Sequence, residues 1–372
     1  MTVDLPQELV EAVLQPLYHN VHSIPDYKTL SVCSMICKSW SGAAQKLLFY
    51  SIRLKASRAV ALVSSPLEHT RLLVSSIRCL DLDITSDDRN AEEDLIAVIT
   101  HCTGLYELTL RIGKLHEFDP ATADSLASLA SRPDARPLRA IMLFSFGTQS
   151  PIVYQLLKVW RTVQFVRLGQ ELAAPPPRTW TPTFHLYELT LLRVPTRNVK
   201  AIEWMLSASV GHLRILHLRD EPGVEYDDIF RTHGPHLESL RLYNHNRRTS
   251  TLLGMCPNLK ELVITLLSSF FPLTGIPDSL EHLSFRNYDW AANESLYPII
   301  NAIDHLDKLR IVTCDANGTK HRDWSTLSKK CLERGVQLRA DAPPIYVLED
   351  PVPVKQYPRL KSVDNFAVMN NA

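Results

Sequence analysis

An apolar-x-x-apolar-x-apolar pattern recurs along this chain from Phe49, Ile77, Leu105, Leu138, Val163, Leu186, Leu213, Leu237, Leu259, Leu280 and Leu309. The clearest copies read LYELTL (from Leu105 and again from Leu186), LRILHL, LESLRL and LKELVI. Successive starts lie 28, 28, 33, 25, 23, 27, 24, 22, 21 and 29 residues apart. Each hexamer predicts a short strand that turns alternate apolar side chains to one face. One such unit cannot bury its own leucines, whereas a stack of them can. The stretches between hexamers support this reading. Residues 92–102 (EEDLIAVITHC), 151–161 (PIVYQLLKVWR) and 198–208 (NVKAIEWMLSA) space their apolar residues at three-to-four intervals, which predicts helices that cover the other side.

The pattern is interrupted between Leu168 and Phe184, where Pro175, Pro176 and Pro177 forbid a helix. This stretch is either a loop bulging from one continuous array or a linker between two; the hexamer resumes unchanged at Leu186, which favours one array. Beyond about Asp341 the chain becomes too rich in proline to continue it. An extended tail is expected over 341–372, ordered only where Ile345, Tyr346 and Val347 find a partner.

Ahead of the array, Leu5, Leu9, Val10, Val13, Leu14 and Leu17 follow helical spacing, with Pro6 suited to a first turn and Glu8 near the helix N-terminus. A second apolar series runs Leu30, Cys33, Cys37, Trp40, Ala44 and Leu47, with Asp26 as its cap. Pro16 should weaken or kink the end of the first helix. About 45 residues of helix is little core, so this unit must lean on the repeats or on a partner.

The ordered set Leu5, Pro6, Glu8, Leu9, Val13 and Leu17, followed by Leu30, Cys33, Ser34, Ile36, Cys37, Trp40, Leu47 and Leu48, resembles an F-box over residues 3–52. The hexamers resemble leucine-rich repeats over about 49–340. They depart from that family where its turn-capping Asn or Cys is replaced by Gly113, His245, Leu267 and Tyr288. The expected fold class is α/β, with a small helical F-box-like unit (1–52), an irregular leucine-rich-repeat solenoid (53–340) whose parallel strands line the concave side, and a Pro-rich tail (341–372).

The resemblance implies a substrate receptor of a cullin-based ubiquitin ligase. Its helical unit would bind a Skp-family adaptor, and through it a cullin, using Leu5, Pro6, Leu9, Val13, Leu14, Leu17, Leu30, Cys33, Cys37 and Trp40. The repeats would hold a protein substrate. The rival is a repeat scaffold whose N-terminal helices only cap the array. The two differ over Leu9 and Trp40: exposed and partner-seeking in the first, buried against the Phe49 and Ile77 repeats in the second.

On the strands, residues between and just after the apolar positions face the concave side, the usual binding face of a stacked array. They include Arg167, His217, Arg219, Arg241, Tyr243 and Arg286. Such a row could take an acidic or phosphorylated segment through charge-assisted hydrogen bonds. It could equally be a solvated charged face neutralised by Glu188, Glu261 and Asp315.

Composition narrows the field. The 372 residues are 45% apolar, and 40 basic residues balance 40 acidic ones, so no global field draws the chain to nucleic acid or an anionic membrane. Seven scattered cysteines without a CxxC pair point to a reduced compartment, and MTVDLPQELVEAV lacks the features of an export signal. The longest apolar stretch, 262–273, is too short to span a bilayer. An intracellular protein, cytoplasmic or nuclear, is expected. No phosphate loop, HExxH or GxSxG is present, so neither an enzyme nor a cofactor is expected. His19 with His22 and His233 with His236 lack further ligands at zinc spacing. The acidic residues 81–94 lack calcium-loop spacing and read as a loop leading into a capped helix.

Overall fold

The computed structural model describes residues 6–20, 23–84, 90–268, 272–286, 294–359 and 361–371. Leu5, one of the residues expected at an adaptor, lies outside them. The fold is α/β, built on a twelve-stranded parallel sheet. Its strands are β1 Ser51–Lys55, β2 Cys79–Asp83, β3 Glu107–Arg111, β4 Ala140–Phe144, β5 Phe165–Leu168, β6 Glu188–Leu191, β7 Ile215–Leu218, β8 Ser239–Asn244, β9 Glu261–Leu266, β10 His282–Phe285, β11 Ile311–Thr313 and β12 Gln337–Arg339. Each strand pairs with the next in chain order, so β1 and β12 are the edges.

Every hexamer foreseen in the sequence produces a strand, and the strand begins two residues after the hexamer does, from Phe49 and Ser51 to Leu309 and Ile311. Only β12 was not foreseen, because its three residues carry a single apolar side chain, Leu338. The register stacks the second strand positions into one row. Leu80, Leu108, Ile141, Val166, Leu189, Leu216, Leu240, Leu262 and Leu283 follow one another across β2 to β10. All are buried against residues of the connecting helices, such as Leu95, Leu156, Ile202 and Leu253. Removing such side chains from water stabilises by about 1.5–3 kcal/mol each, so the periodic leucines hold the stack together. The helices expected at 92–102, 151–161 and 198–208 are present as Ala91–His101, Ile152–Val159 and Val199–Leu206.

Two expectations change. β5 and β6 pair directly, from Phe165 opposite Glu188 to Leu168 opposite Leu191, so the array is continuous across residues 169–184. That segment does not bulge, however. Leu172, Ala174 and Phe184 are buried in the core, and Tyr154 Oη donates to the Ala174 carbonyl at 2.7 Å. The prolines exclude a helix without preventing an irregular chain from filling a helix's place. The acidic stretch from Asp81, expected as a loop, begins inside β2.

The N-terminal unit comprises α1 (Gln7–Leu14), α2 (Tyr27–Ser34) and α3 (Lys38–Tyr50). Beyond Leu14 the first helix tightens into a 3₁₀ turn, Gln15–Leu17, with Pro16 inside it. Asp26 caps α2 as expected: its Oδ1 accepts from the Thr29 N–H at 3.0 Å. Val10, Leu14, Cys33, Ala43 and Ala44 form the unit's small core, with Trp40 and Leu47 partly buried around it. The apolar series does not continue through Cys37. The chain is extended there (φ −161°), and Cys37 is exposed between α2 and α3. No linker follows, because α3 ends at Tyr50 and β1 begins at Ser51.

The C-terminal segment departs most from expectation. Residues 341–372 do not form a free tail. The segment leaves β12, crosses the sheet face opposite the helices, and ends in the helix Asp364–Asn371. Phe366 of that helix stacks on Tyr50 (centroids 3.9 Å apart) and meets Tyr18 edge-on (4.7 Å), while Arg78 Nε donates to Asn370 Oδ1 at 2.9 Å. The two ends of the chain are thus joined through α3 and the first turn after α1.

Candidate binding surfaces

The strand register that buries the leucines sets the opposite face as well. Arg167, Thr190, His217, Arg241, Val263, Ser284 and Thr313 occupy aligned positions on β5 to β11. A neighbouring row brings Glu188, Ile215, Ser239, Glu261 and His282 into line. Four of the residues expected at a substrate, Arg167, His217, Arg241 and Arg286, therefore meet in one patch. All four are buried.

The cover is the chain's own C-terminal segment. Arg241 grips Glu349 with both terminal nitrogens, at 2.6 and 2.7 Å, and Arg286 lies 3.7 Å from the same carboxylate. Arg167 donates to Glu188 at 2.9 Å and to the Glu349 carbonyl at 2.7 Å. Arg359, also in the tail, reaches Glu188 at 2.9 Å. Glu261 completes the patch, 3.4 Å from Arg241 and 2.9 Å from His282 Nδ1, whose Nε2 pairs with Thr313 Oγ1 at 2.8 Å. Glu188 and Glu261 pair with the row as expected, and Asp315, whose charge also acts on Arg286, caps the turn Ala316–Lys320 through the Asn317 N–H.

Buried charges are tolerated only when paired, and the titration of these groups reflects that. Burial alone would raise the carboxyl of Glu349, but the guanidiniums of Arg241, Arg359 and Arg286 outweigh it and hold it at about 2. Glu188 is likewise lowered to about 2 against its burial, by Arg167 and Arg359. Burial, reinforced by Arg241, lowers His217 to about 3 and keeps it neutral.

The other two residues of the expected row lie apart from this network. Arg219 is exposed just after β7, and Tyr243 is half-buried one step along β8 from Arg241. Glu349 and Arg359 were missed by sequence reasoning. Both sit in a proline-rich stretch without periodicity, and their hydrogen-bonded partners Arg241 and Glu188 lie more than a hundred residues away in the chain. The only signal available was the acidic pair Glu349 and Asp350 between apolar residues and a proline.

The residues expected at an adaptor divide in two. Leu9, Val13, Leu17, Pro6 and Cys37 are exposed, Leu9 to 53%. Leu14 and Cys33 are buried in the unit's small core with Trp40 half-buried around it, and Leu30 is buried in the cluster that includes Tyr18, Tyr50 and Phe366. These four do not form the exposed face. Ile24, Val32, Met35 and Ile36 add to that face in sequence, with Met35 exposed to 75%. Eight of the fifteen large apolar side chains exposed among the described residues fall between Leu9 and Ile36, so the apolar exposure is concentrated in this small unit. Isolated exposed apolar residues are ordinary, but a concentration marks an interaction surface.

No family model matches the chain, and no curated protein matches it. No helix among the described residues is long and apolar enough to cross a membrane.

Proposed function

We propose that this chain is the substrate-recruiting subunit of a cullin-based ubiquitin ligase. In this reading α1 to α3 are an F-box-like unit that docks on a Skp-family adaptor. The sheet and its helices are an irregular leucine-rich-repeat solenoid that presents a protein substrate. The protein performs no chemistry of its own; it raises the concentration of the substrate near the catalytic partner. It works in the intracellular compartment where the adaptor resides.

The observation that carries the reading is the exposure of Leu9, Val13 and Leu17 on the first helix and its 3₁₀ extension, and of Met35 and Ile36 between α2 and α3, in a unit whose own small core is already filled. Each such leucine or valine, when covered by a partner, contributes about 1.5–3 kcal/mol. Trp40, packed beside Leu14, stiffens the face from below. A second reading, in which these helices only cap the solenoid, draws support from Tyr27, whose hydroxyl donates to the Ser51 carbonyl at the β1 edge at 2.7 Å. Capping the edge accounts for Tyr27 but leaves Leu9 and Val13 without a role.

The test is co-expression of the full chain with a Skp-family adaptor and recovery of the complex. The expected result is a stoichiometric complex that is lost in the double variant Leu9→Asp, Val13→Asp while the circular dichroism of the free chain is unchanged. Absence of a complex with the wild type at micromolar concentration overturns the ligase reading and leaves the cap.

A further inference from the structure

The tail-bearing face has the make-up of a ligand site already filled. The sheet contributes three guanidiniums to its ion-pair network, Arg167, Arg241 and Arg286, against two carboxylates, Glu188 and Glu261. Glu349 of the tail adds a further anion to this patch, held by a bidentate arginine of the kind used to recognise carboxylates and phosphates.

The occupant fits incompletely. The Nε atoms of Arg241 and Arg286, both buried, have no hydrogen-bond partner among the described residues. An open groove of about 310 Å³ remains between residues 346–351 and strands β1 to β5. From Asp341 to Arg359 the segment forms no strand or helix, and side chains such as Tyr346 project into solvent. Its polar anchors are Glu349, the Pro351 carbonyl that accepts from Tyr106 Oη at 2.7 Å, the Val354 N–H that donates to Tyr187 Oη at 2.9 Å, and Arg359, and Val352 is buried beside Tyr106, Ala140 and Phe165.

We infer that residues 345–354 are a built-in occupant of a peptide site, and that the site's external ligand is a segment of a partner protein that sets an anionic side chain between Arg241 and Arg286 in place of Glu349. The Arg167 guanidinium takes the backbone carbonyl of that same residue, as it takes that of Glu349. A glutamate in the partner reproduces the tail's contact. A phosphorylated side chain brings more charge and three acceptor oxygens, enough to meet the donors that Glu349 leaves unused. This inference identifies the ligand of the face that the proposed function assigns to substrate. Its chemistry does not depend on whether the N-terminal helices bind an adaptor.

The test uses the full chain and a fluorescein-labelled synthetic peptide of residues 343–359, read by anisotropy. In the variant Glu349→Lys a cation faces Arg241 and Arg286, and the tail is expelled. The labelled peptide is expected to bind this variant at least tenfold more tightly than the wild type, whose own tail competes. An alanine at the position of Glu349 in the peptide should abolish binding, and a phosphoserine there should strengthen it. Equal binding of the alanine peptide overturns the inference. So does failure of a folded Glu349→Lys chain, its tail released by hydrogen exchange, to bind the glutamate or the phosphoserine peptide. Should Glu349→Lys not fold, a protease site placed at residues 341–344 and cut after folding takes its place. The labelled peptide then exchanges with the nicked tail, or the inference falls. Adaptor recovery, measured separately, reports on the N-terminal helices alone.

Discussion

The N-terminal helices leave Leu9, Val13, Met35 and Ile36 in water, whereas the face of the sheet beneath the tail takes Arg167, Glu188, Arg241 and Glu349 out of it. Both placements run against the ordinary preferences of these side chains. The charged patch is resolved within the chain, because the C-terminal segment supplies the counter-charges and backbone acceptors that desolvated guanidiniums need. The apolar face receives no such cover from the described residues. One surface is covered in cis and the other is left uncovered by the described residues, although each includes side chains that the sequence pattern assigns to binding.

This contrast can be broken by substitution, and the buried side should respond most. Arg241→Ala leaves Glu349 and Glu261 desolvated without their principal cation. It should cost about 3–5 kcal/mol, read as a lower urea midpoint, or the tail should detach to escape that cost, read as fast hydrogen exchange over residues 345–359. Phe366→Ala removes the ring that stacks on Tyr50 and should cost about 3 kcal/mol where the helix Asp364–Asn371 meets α3, with freed exchange in that helix as the local signature.

Acid should act on the same side. Glu188 and Glu349 are held at about 2 in the fold, below their ordinary value of 4.5, so the stability they confer is present above pH 4.5 and is lost as the pH falls toward 2. His217, held at about 3 against an ordinary 6.5, acts in the same direction, because only the unfolded chain takes up its proton between those values. Thermal melts should therefore weaken from about pH 6.5 downward, most steeply below 4.5. Replacing His217 by Gln should flatten the upper part of that decline.

Smaller effects sharpen the comparison. Tyr106→Phe removes one hydrogen bond to the tail, at the Pro351 carbonyl, and should cost about 1 kcal/mol in a urea titration. Leu9→Asp should change stability by no more than about 0.5 kcal/mol while abolishing recovery of the adaptor. A destabilisation there as large as that of Arg241→Ala would mean that Leu9 is covered in the free protein and would remove the contrast.

Much of this fold was legible in the sequence because its order is periodic. The leucines at fixed offsets bury themselves by stacking like on like, so each hexamer announces its own strand, and the intervening three-to-four spacing announces a helix. The charged row followed from the same periodicity, which placed Arg167, His217, Arg241 and Arg286 on one face before any coordinates. What was not legible has no period. Glu349, Arg359 and the helix Asp364–Asn371 owe their positions to partners at Arg241, Glu188 and Tyr50, far away in the chain, and proline-rich composition reads as disorder unless those partners are known. Residues 169–184 misled for the same reason, since proline forbids a helix but says nothing of burial. Cys37 was misplaced because helical spacing carried across a break that only the extended backbone reveals.

Hydrogen exchange of the full chain, followed by mass spectrometry with and without a Skp-family adaptor, tests the contrast most directly. The account predicts that residues 345–359 are already protected in the free protein and stay so, while the segment from α1 to α2 gains protection only when the adaptor is added. Rapid exchange across 345–359 in the free protein, or no change over residues 7–36 on adding the adaptor, would contradict it.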